Sequence, residues 1–135
     1  MEAVIVAARP IPGAELFLSE SLMNALAEIG DQAYNDEKAV CGSIIGSRSE
    51  DARGTWTEAV GLSYEIPLED AVGWFRSREG GGIEMSEDDI RKHVSLFGKE
   101  RAYAVMIDPS MSSLAIFTVE DGVPVKPRAA VMEGR

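Results

Sequence analysis

The stretch from Ala71 to Asp89 limits the possible folds most, because it places an apolar run directly before a capped helix. Ala71–Phe75 is short and apolar, which predicts a buried strand. The polar run Arg76-Ser77-Arg78 and a triple glycine follow. Ser86 then stands where an N-cap is expected, and Asp89 completes a capping-box-like pair. A strand that ends in charged side chains beside a helix N-terminus often forms a pocket, so we predict the site here.

Short apolar runs and two helical patterns fill the rest of the chain. A strand is predicted where a short apolar run is bounded by glycine, proline or polar residues. Helices are predicted from Ser19 to Asn35, with Gly30 weakening or ending the last turn, and from Ser86 to a stop at Gly98. The predicted strands are Ala3–Ala8, Ala39–Ile45, Thr55–Ile66, Ala71–Phe75, Ala102–Ile107, Leu114–Val119 and Val123–Val125.

This order of elements predicts one α/β domain over residues 1–135, with a single mixed β-sheet flanked by two helices. Gly46 is predicted to close the strand before it, and the polar run Ser47–Gly54 to be a hairpin loop. Asp121-Gly122 is a strong signal for a tight hairpin turn. The C-terminal tail, Val131–Arg135, is predicted to fray.

The overall charge and the cysteine count limit the classes of partner and compartment. A net charge of -10 and a pI near 4.5 speak against a nucleic-acid-binding surface, because phosphates would be repelled. Cys41 is the single cysteine, so no intrachain disulfide is possible. Ala3–Ala8 is too short for a transmembrane helix or a signal peptide. These features predict a soluble cytoplasmic protein with no nucleic-acid or membrane partner.

Four local motifs, in the same order, resemble the MPN (JAMM) domain family of zinc isopeptidases. In active members a Gly-Trp-Tyr-like strand end carries His-Ser-His, and Ser and Asp follow at a fixed spacing. Here Gly73-Trp74-Phe75 precedes Arg76-Ser77-Arg78, and Ser86 and Asp89 stand at the matching positions without a gap. The motifs that complete the resemblance, which covers roughly Leu16 to Val119, are Val40–Gly46 and Ala104–Pro109. The resemblance implies the three-layer arrangement that this family shares with cytidine deaminases.

The resemblance also implies that the chemistry of active members has been lost. Their two zinc-ligand histidines correspond to Arg76 and Arg78, whose guanidinium groups offer no lone pair to a metal. Their general-base glutamate corresponds to Ala39, three residues before Gly42. His93 is the only histidine, and a catalytic zinc ion normally needs three protein ligands. The chain therefore resembles the inactive, MPN-minus members, which implies no catalysis, no metal and no cofactor.

The positions that correspond to the zinc site of active members are then expected to form a degenerate pocket, one that keeps the place of the site without its ligands. Arg76 and Arg78 are separated by one residue, so on a strand they point to the same face, where Asp89 can meet them. We predict that Arg76 or Arg78 forms an ion pair with Asp89 in place of the zinc ion. The alternative is that both arginines point into solvent. The residues of this degenerate pocket are Ala39, Arg76, Ser77, Arg78, Ser86 and Asp89.

Other notable side chains have ordinary structural interpretations. Cys41 lies in an apolar strand, which is typical of a core residue. His93 has no nucleophile arranged with it and is predicted to pack or to lie on the surface of its helix. Trp74 and Phe75 are predicted to be core residues, one of them reaching an interface. Gly80–Gly82 lacks the Lys-Ser/Thr of a phosphate-binding loop and is predicted to be a mobile loop.

The leading functional hypothesis is a non-catalytic scaffold or interaction module. Inactive members of the family typically pair with one another or with an active member. The resemblance therefore implies a protein partner: a second copy, an active MPN-type isopeptidase or a larger complex. The first helix, Ser19–Asn35, is the candidate dimer face, and simple packing on the sheet is the alternative.

Two alternatives keep a chemical role for the pocket. Arg76, Arg78 and the N-terminus of the Ser86 helix would together hold a phosphate or a carboxylate. The acidic residues that crowd the same loop weaken this interpretation. An unusual hydrolase would instead need a metal site built from the carboxylates at 87–89, which the two arginines oppose.

Overall fold

The computed structural model describes residues 5–7, 14–52, 54–78, 80, 82–111 and 113–132. Within these residues the chain forms two α-helices, α1 (Glu20–Asp36) and α2 (Glu87–Phe97), and one short 3-10 helix, Pro109–Met111. None of these helices is both long and apolar enough to cross a membrane. The strands of the described part are β1 (Ile5–Ala7), β2 (Leu16–Ser19), β3 (Val40–Asp51), β4 (Gly54–Ser63), β5 (Ala71–Ser77), β6 (Tyr103–Asp108), β7 (Ser113–Glu120), β8 (Val123–Val125) and β9 (Ala129–Met132).

These strands form one mixed sheet in the order β1-β9-β2-β4-β3-β5-β6-β7-β8. The pairs β1–β9, β9–β2, β2–β4 and β5–β6 are parallel. The pairs β3–β4, β3–β5, β6–β7 and β7–β8 are antiparallel. The strand β5, which carries the arginines, therefore lies between β3 and β6 in the middle of the sheet.

The two helices cover opposite faces of the sheet. On β6, Val105 and Ile107 belong to the core cluster that α1 joins through Leu26. Ala104 and Met106 belong to the cluster against which side chains of α2 pack. Because alternate residues of a strand point to opposite faces, the chain has a helix–sheet–helix arrangement. This confirms the predicted α/β class, the mixed sheet and the three layers.

Helix α1 agrees with the predicted range Ser19–Asn35 to within one residue at each end. The Ser19 hydroxyl accepts a hydrogen bond from the Leu22 N–H at 3.0 Å, which is the N-cap interaction. The helix does not end at Gly30, one of the two predicted alternatives, but continues to Asp36. It stops at Glu37, which adopts a left-handed conformation with φ of 52°.

The predicted hairpin loop Ser47–Gly54 is wrong, because β3 and β4 continue through most of it. Residues 47–51 pair one by one with residues 54–58. Backbone pairing of this kind does not depend on apolar side chains, so the polar composition was misleading. Gly46 does not close a strand but lies at a bulge, where an added Cβ would collide with the Glu58 carbonyl.

At both ends of the described chain the structure also differs from the sequence prediction. The strand β2 had no counterpart in the sequence prediction, which reached only its capping residue, Ser19. β9 inserts between β1 and β2, and Val131 and Met132 are buried there, so these two residues of the tail are not frayed. The rest of the predicted frayed tail lies outside the described residues. The predicted first strand is present as Ile5–Ala7.

Candidate functional site

The centre of the predicted site is the buried side chain of Arg76, which projects from β5 and is 6% exposed. Its Nε and Nη2 atoms donate to the two carboxylate oxygens of Asp89, at 3.4 and 3.1 Å. Nη2 also donates to the Glu84 carbonyl at 3.1 Å, and Nη1 donates to the carbonyls of Gly82 and Ile107 at 3.2 and 3.3 Å. An arginine has five N–H groups, and here each has an acceptor.

Asp89 is held from the helix side as well. Its N–H donates to the Ser86 hydroxyl at 3.1 Å, and its Oδ2 accepts from the Ser86 N–H at 2.9 Å, so the predicted capping box is present. Burial raises the pKa of Asp89, but the Ser86 N–H and the Arg76 guanidinium lower it by more. The net pKa lies below the ordinary value, so the carboxylate stays charged opposite Arg76.

Arg78 occupies the rim of the same pocket. Its guanidinium is 46% exposed, and its Nη2 atom stands 3.9 Å from Asp89 Oδ2, beyond hydrogen-bond distance. Its backbone N–H donates to the Ile107 carbonyl at 3.0 Å. The two arginines thus approach one carboxylate, but Arg76 forms the hydrogen-bonded pair and Arg78 remains open to solvent.

The remaining predicted pocket residues have structural roles or none. The Ser77 hydroxyl is buried and accepts from the Val40 N–H at 3.1 Å, which ties β3 to β5. Ala39 is exposed just before β3 and brings no ionisable group to the pocket. Ser86 acts as the N-cap of α2. Asp88 is exposed and pairs with Arg91, so it does not converge with the buried Asp89 on one metal position.

Sequence reasoning missed a second buried carboxylate, Asp108, which organises the glycine loop. Its Oδ1 accepts from the Gly80 N–H at 3.1 Å and from the Ser110 N–H and hydroxyl at 3.1 and 2.7 Å. Its Oδ2 accepts from the Gly82 N–H at 2.8 Å. The N–H groups of Gly80 and Gly82 are thereby both bonded to one carboxylate, whereas the predicted mobility of this loop stays a prediction. The available signal was Asp-Pro-Ser at a strand end, a sequence typical of side-chain-to-backbone turns.

The pKa of Asp108 also lies below its ordinary value. Burial raises it, but the Ser110 hydroxyl and the N–H groups of Gly82, Gly80 and Ser110 lower it by more. Because Gly82 also offers its carbonyl to Arg76, the glycine loop links the two buried carboxylates. Arg76, Asp89, Asp108 and this loop thus form one continuous polar network.

His93 and Trp74 form a separate buried pair on the α2 face. The Trp74 Nε1–H donates to His93 Nδ1 at 3.1 Å, and both side chains are almost fully buried. The predicted packing role of His93 and the core position of Trp74 are confirmed. Cys41 is only half-buried, and Lys92 Nζ lies 3.6 Å from its sulfur atom, so the prediction of a core cysteine is only partly right.

We expect the acid sensitivity of the fold near pH 5 to come from His93. Burial lowers its pKa to about 4 from 6.5, so only the unfolded state binds the proton between these values. The contribution of neutral His93 to the free energy of unfolding is therefore fully present above pH 6.5. As the pH falls from 7 to 5, this contribution decreases by about 2 kcal/mol. NMR titration of this single histidine gives the pKa without ambiguity. A measured pKa near 6.5, or a His93→Asn variant with an unchanged pH dependence of unfolding, would contradict this.

The residues present do not fit a zinc ion. Asp89 is the one side chain with a ligand-type group among the zinc-ligand positions that the sequence resemblance implies, and both of its oxygens already accept from Arg76. In the part of the chain that the structure describes, no group of three or more His, Cys, Asp or Glu side chains is placed to hold a metal. A guanidinium beside the carboxylate would also repel a cation.

The fold resembles that of a protein of known structure. No protein-family model and no curated protein matches the chain. Among solved structures, a JAB1/MPN domain protein from Archaeoglobus fulgidus superimposes with a TM-score of 0.51. The match covers 84% of this chain and 97% of the archaeal chain at 16% sequence identity. The three-layer α/β fold is therefore that of a JAB1/MPN domain.

Proposed function

We propose that this chain is a non-catalytic, MPN-minus module that acts by binding proteins, either a second copy or an active MPN-type isopeptidase. The observation that carries the proposal is the buried Arg76, whose five donors are all used at a position where the resemblance implies a zinc ligand. In this proposal the guanidinium of Arg76, paired with Asp89, occupies the position that a zinc ion would have in an active member.

The same network gives the pocket a structural purpose. Arg76 connects the end of β5 to α2 through Asp89, to the glycine loop through Gly82, and to the end of β6 through Ile107. In a zinc enzyme the metal ion would bring such elements together. Here a buried, hydrogen-bonded ion pair connects them, and in this proposal it takes over the structural role of a metal ion.

No specific observation favours the anion-binding alternative. The donors of Arg76 are satisfied, and Ser86 caps the N-terminus of α2 with Asp89 beside it. Arg78 would have to bind the anion, and exposed Glu84 and Glu87 lie near it in the chain. The negative charges of these two glutamates would repel a phosphate.

Protein binding is supported by exposed apolar side chains. Tyr34, near the C-terminal end of α1, is 52% exposed, and Val60 and Tyr64 of the β4 region are exposed by 56% and 59%. Aromatic residues are enriched among the residues that dominate interface energies. We propose that α1, with Tyr34, forms the face for a second copy or a related partner.

Native mass spectrometry of the wild type and of an Arg76→His/Arg78→His variant tests the inactive-site assignment. We expect a metal-free wild type, because no lone pair replaces the two histidine ligands. The double variant restores two imidazoles near Asp89 and is expected to carry one zinc ion per chain. The same spectra report the mass of the assembly, and we expect a dimer that Tyr34→Glu dissociates and Val94→Glu, on exposed α2 surface, does not.

One zinc ion per wild-type chain, or zinc-dependent isopeptidase activity, would overturn the proposal that the module is inactive. A monomer at micromolar concentration would remove self-association. Co-purification with an active MPN-type isopeptidase, lost in Tyr34→Glu and kept in Val94→Glu, would then be the remaining support for the interaction face.

A further inference from the structure

A cavity lies on the α1 face of the sheet, opposite the Arg76 side chain, and it shares Asp108 with the polar network of the glycine loop. It has a volume of about 140 Å³ and opens between α1 and the beginning of β7. Leu26, Ile107 and Leu114 supply its apolar walls. A dry apolar cavity of about 150 Å³ holds benzene in another protein, so this space is large enough for a short alkyl chain or a small ring.

Gly30 keeps this cavity open. It stands inside α1, where alanine is the more favourable residue, and its helical backbone does not require glycine. A Cβ at this position would lie 3.3 Å from Ile107 Cγ2, and both residues line the cavity. The glycine therefore costs helix stability and leaves room between the helix and the sheet.

The charged part of the lining is acidic, and Ser113 is a neutral polar residue of the lining. Asp31 and Asp108 both border the cavity, and the lining residues that the structure describes include no lysine or arginine. Asp108 is buried and its oxygens accept from the glycine loop and Ser110, whereas Asp31 is exposed at the mouth. An apolar interior with a carboxylate at the mouth suits a ligand with an apolar body and one positive charge.

We propose that this cavity binds a primary alkylammonium group, with its alkyl chain against Leu26, Ile107 and Leu114 and its ammonium group beside Asp31. A free amine and the lysine side chain of another protein share this chemistry. The proposal goes beyond the proposed scaffold function and does not rest on it, because it uses neither the Arg76 nor the Asp89 side chain, although Asp108 borders both the cavity and the glycine loop.

The test is an NMR titration with three probes of one size: n-butylammonium, n-butanol and butyrate. We expect saturable shifts of the Gly30 and Asp31 amides with n-butylammonium, weaker binding of n-butanol and no binding of butyrate. Nα-acetyl-lysine methylamide forms a fourth arm. If it binds as well as n-butylammonium, the natural ligand is a protein lysine, and if it does not, the ligand is a small amine.

Two variants with matched controls decide whether this cavity is the site. Gly30→Ala is expected to weaken n-butylammonium binding at least tenfold, whereas Gly61→Ala, which adds a methyl group in open space, leaves it unchanged. Asp31→Asn is expected to weaken it about fivefold, whereas Asp36→Asn on the same helix does not. Equal binding of butyrate, absence of saturable shifts, or full binding by a folded Gly30→Ala variant would overturn the proposal.

Discussion

Replacing Asp89 with alanine is expected to lower the free energy of unfolding by about 3–5 kcal/mol, the largest single effect in this pocket. Arg76 would then remain buried with two of its donors unpaired, and charged groups are costly to bury without a partner. The capping interaction with Ser86 would be lost at the same time. Urea unfolding at pH 7, followed by far-UV circular dichroism, measures the difference.

A double-mutant cycle separates the ion pair from the cap. Arg76→Leu combined with Asp89→Leu removes both charges and is expected to be less destabilising than the sum of the two single variants. The exposed pair of Asp88 and Arg91 is the matched control, and Asp88→Ala should cost under about 1 kcal/mol. If Asp89→Ala costs no more than this control, Arg76 is not held as described.

Replacing Asp108 with alanine is expected to cost about 2–4 kcal/mol, because N–H groups of Gly80, Gly82 and Ser110 lose their acceptor together. The glycine loop should then loosen, and with it the Gly82 carbonyl that receives Arg76. Hydrogen exchange at the Gly80 and Gly82 amides is the direct measurement, and it should accelerate at least tenfold. Unchanged exchange at these two amides would show that Asp108 does not organise the loop.

Ser110→Ala is the control for that variant, since it leaves the carboxylate in place and removes a hydroxyl that donates to Asp108 and also accepts a longer bond, 3.3 Å, from the Gly80 N–H. Its expected cost is about 1 kcal/mol, within the usual range for one hydrogen bond. Asp108→Asn adds a test by pH. The pKa of Asp108 is lowered on folding, so its charge stabilises the fold above pH 3.8 and that contribution is lost as the pH falls below this value. The asparagine variant should lack this acid-sensitive contribution, which lies below the range in which His93 acts.

Much of the pocket could be predicted from local sequence. The capping box of Ser86 and Asp89 spans three residues and needs no knowledge of the fold. The spacing from Arg76 to Asp89 predicted that the two residues lie on facing elements, and the hydrogen-bonded ion pair between them agrees with that arrangement. The anchoring of the glycine loop could not be predicted in the same way, because Asp108 is 26 and 28 residues away from Gly82 and Gly80 in the chain.

The errors in the predicted secondary structure have a related cause. The polar residues 47–51 extend β3 because their partners on β4 provide backbone hydrogen bonds, and local composition does not reveal such partners. The strands β2 and β9 are short and buried in parallel pairs, so their signal is a few apolar residues without alternation. Gly30 remains helical because α1 is held by its contacts with the sheet rather than by helix propensity.

By itself, the sequence determined the order of most elements, the two N-caps and the absence of a histidine set for zinc, since these depend on residue identity and on contacts a few positions apart. Only the tertiary structure decided which arginine binds Asp89. Arg76 and Arg78 are chemically identical and share one face, but β6, α2 and the glycine loop enclose Arg76 and leave Arg78 at the rim. Burial removes water as a competing partner, so the choice depends on what packs around each guanidinium.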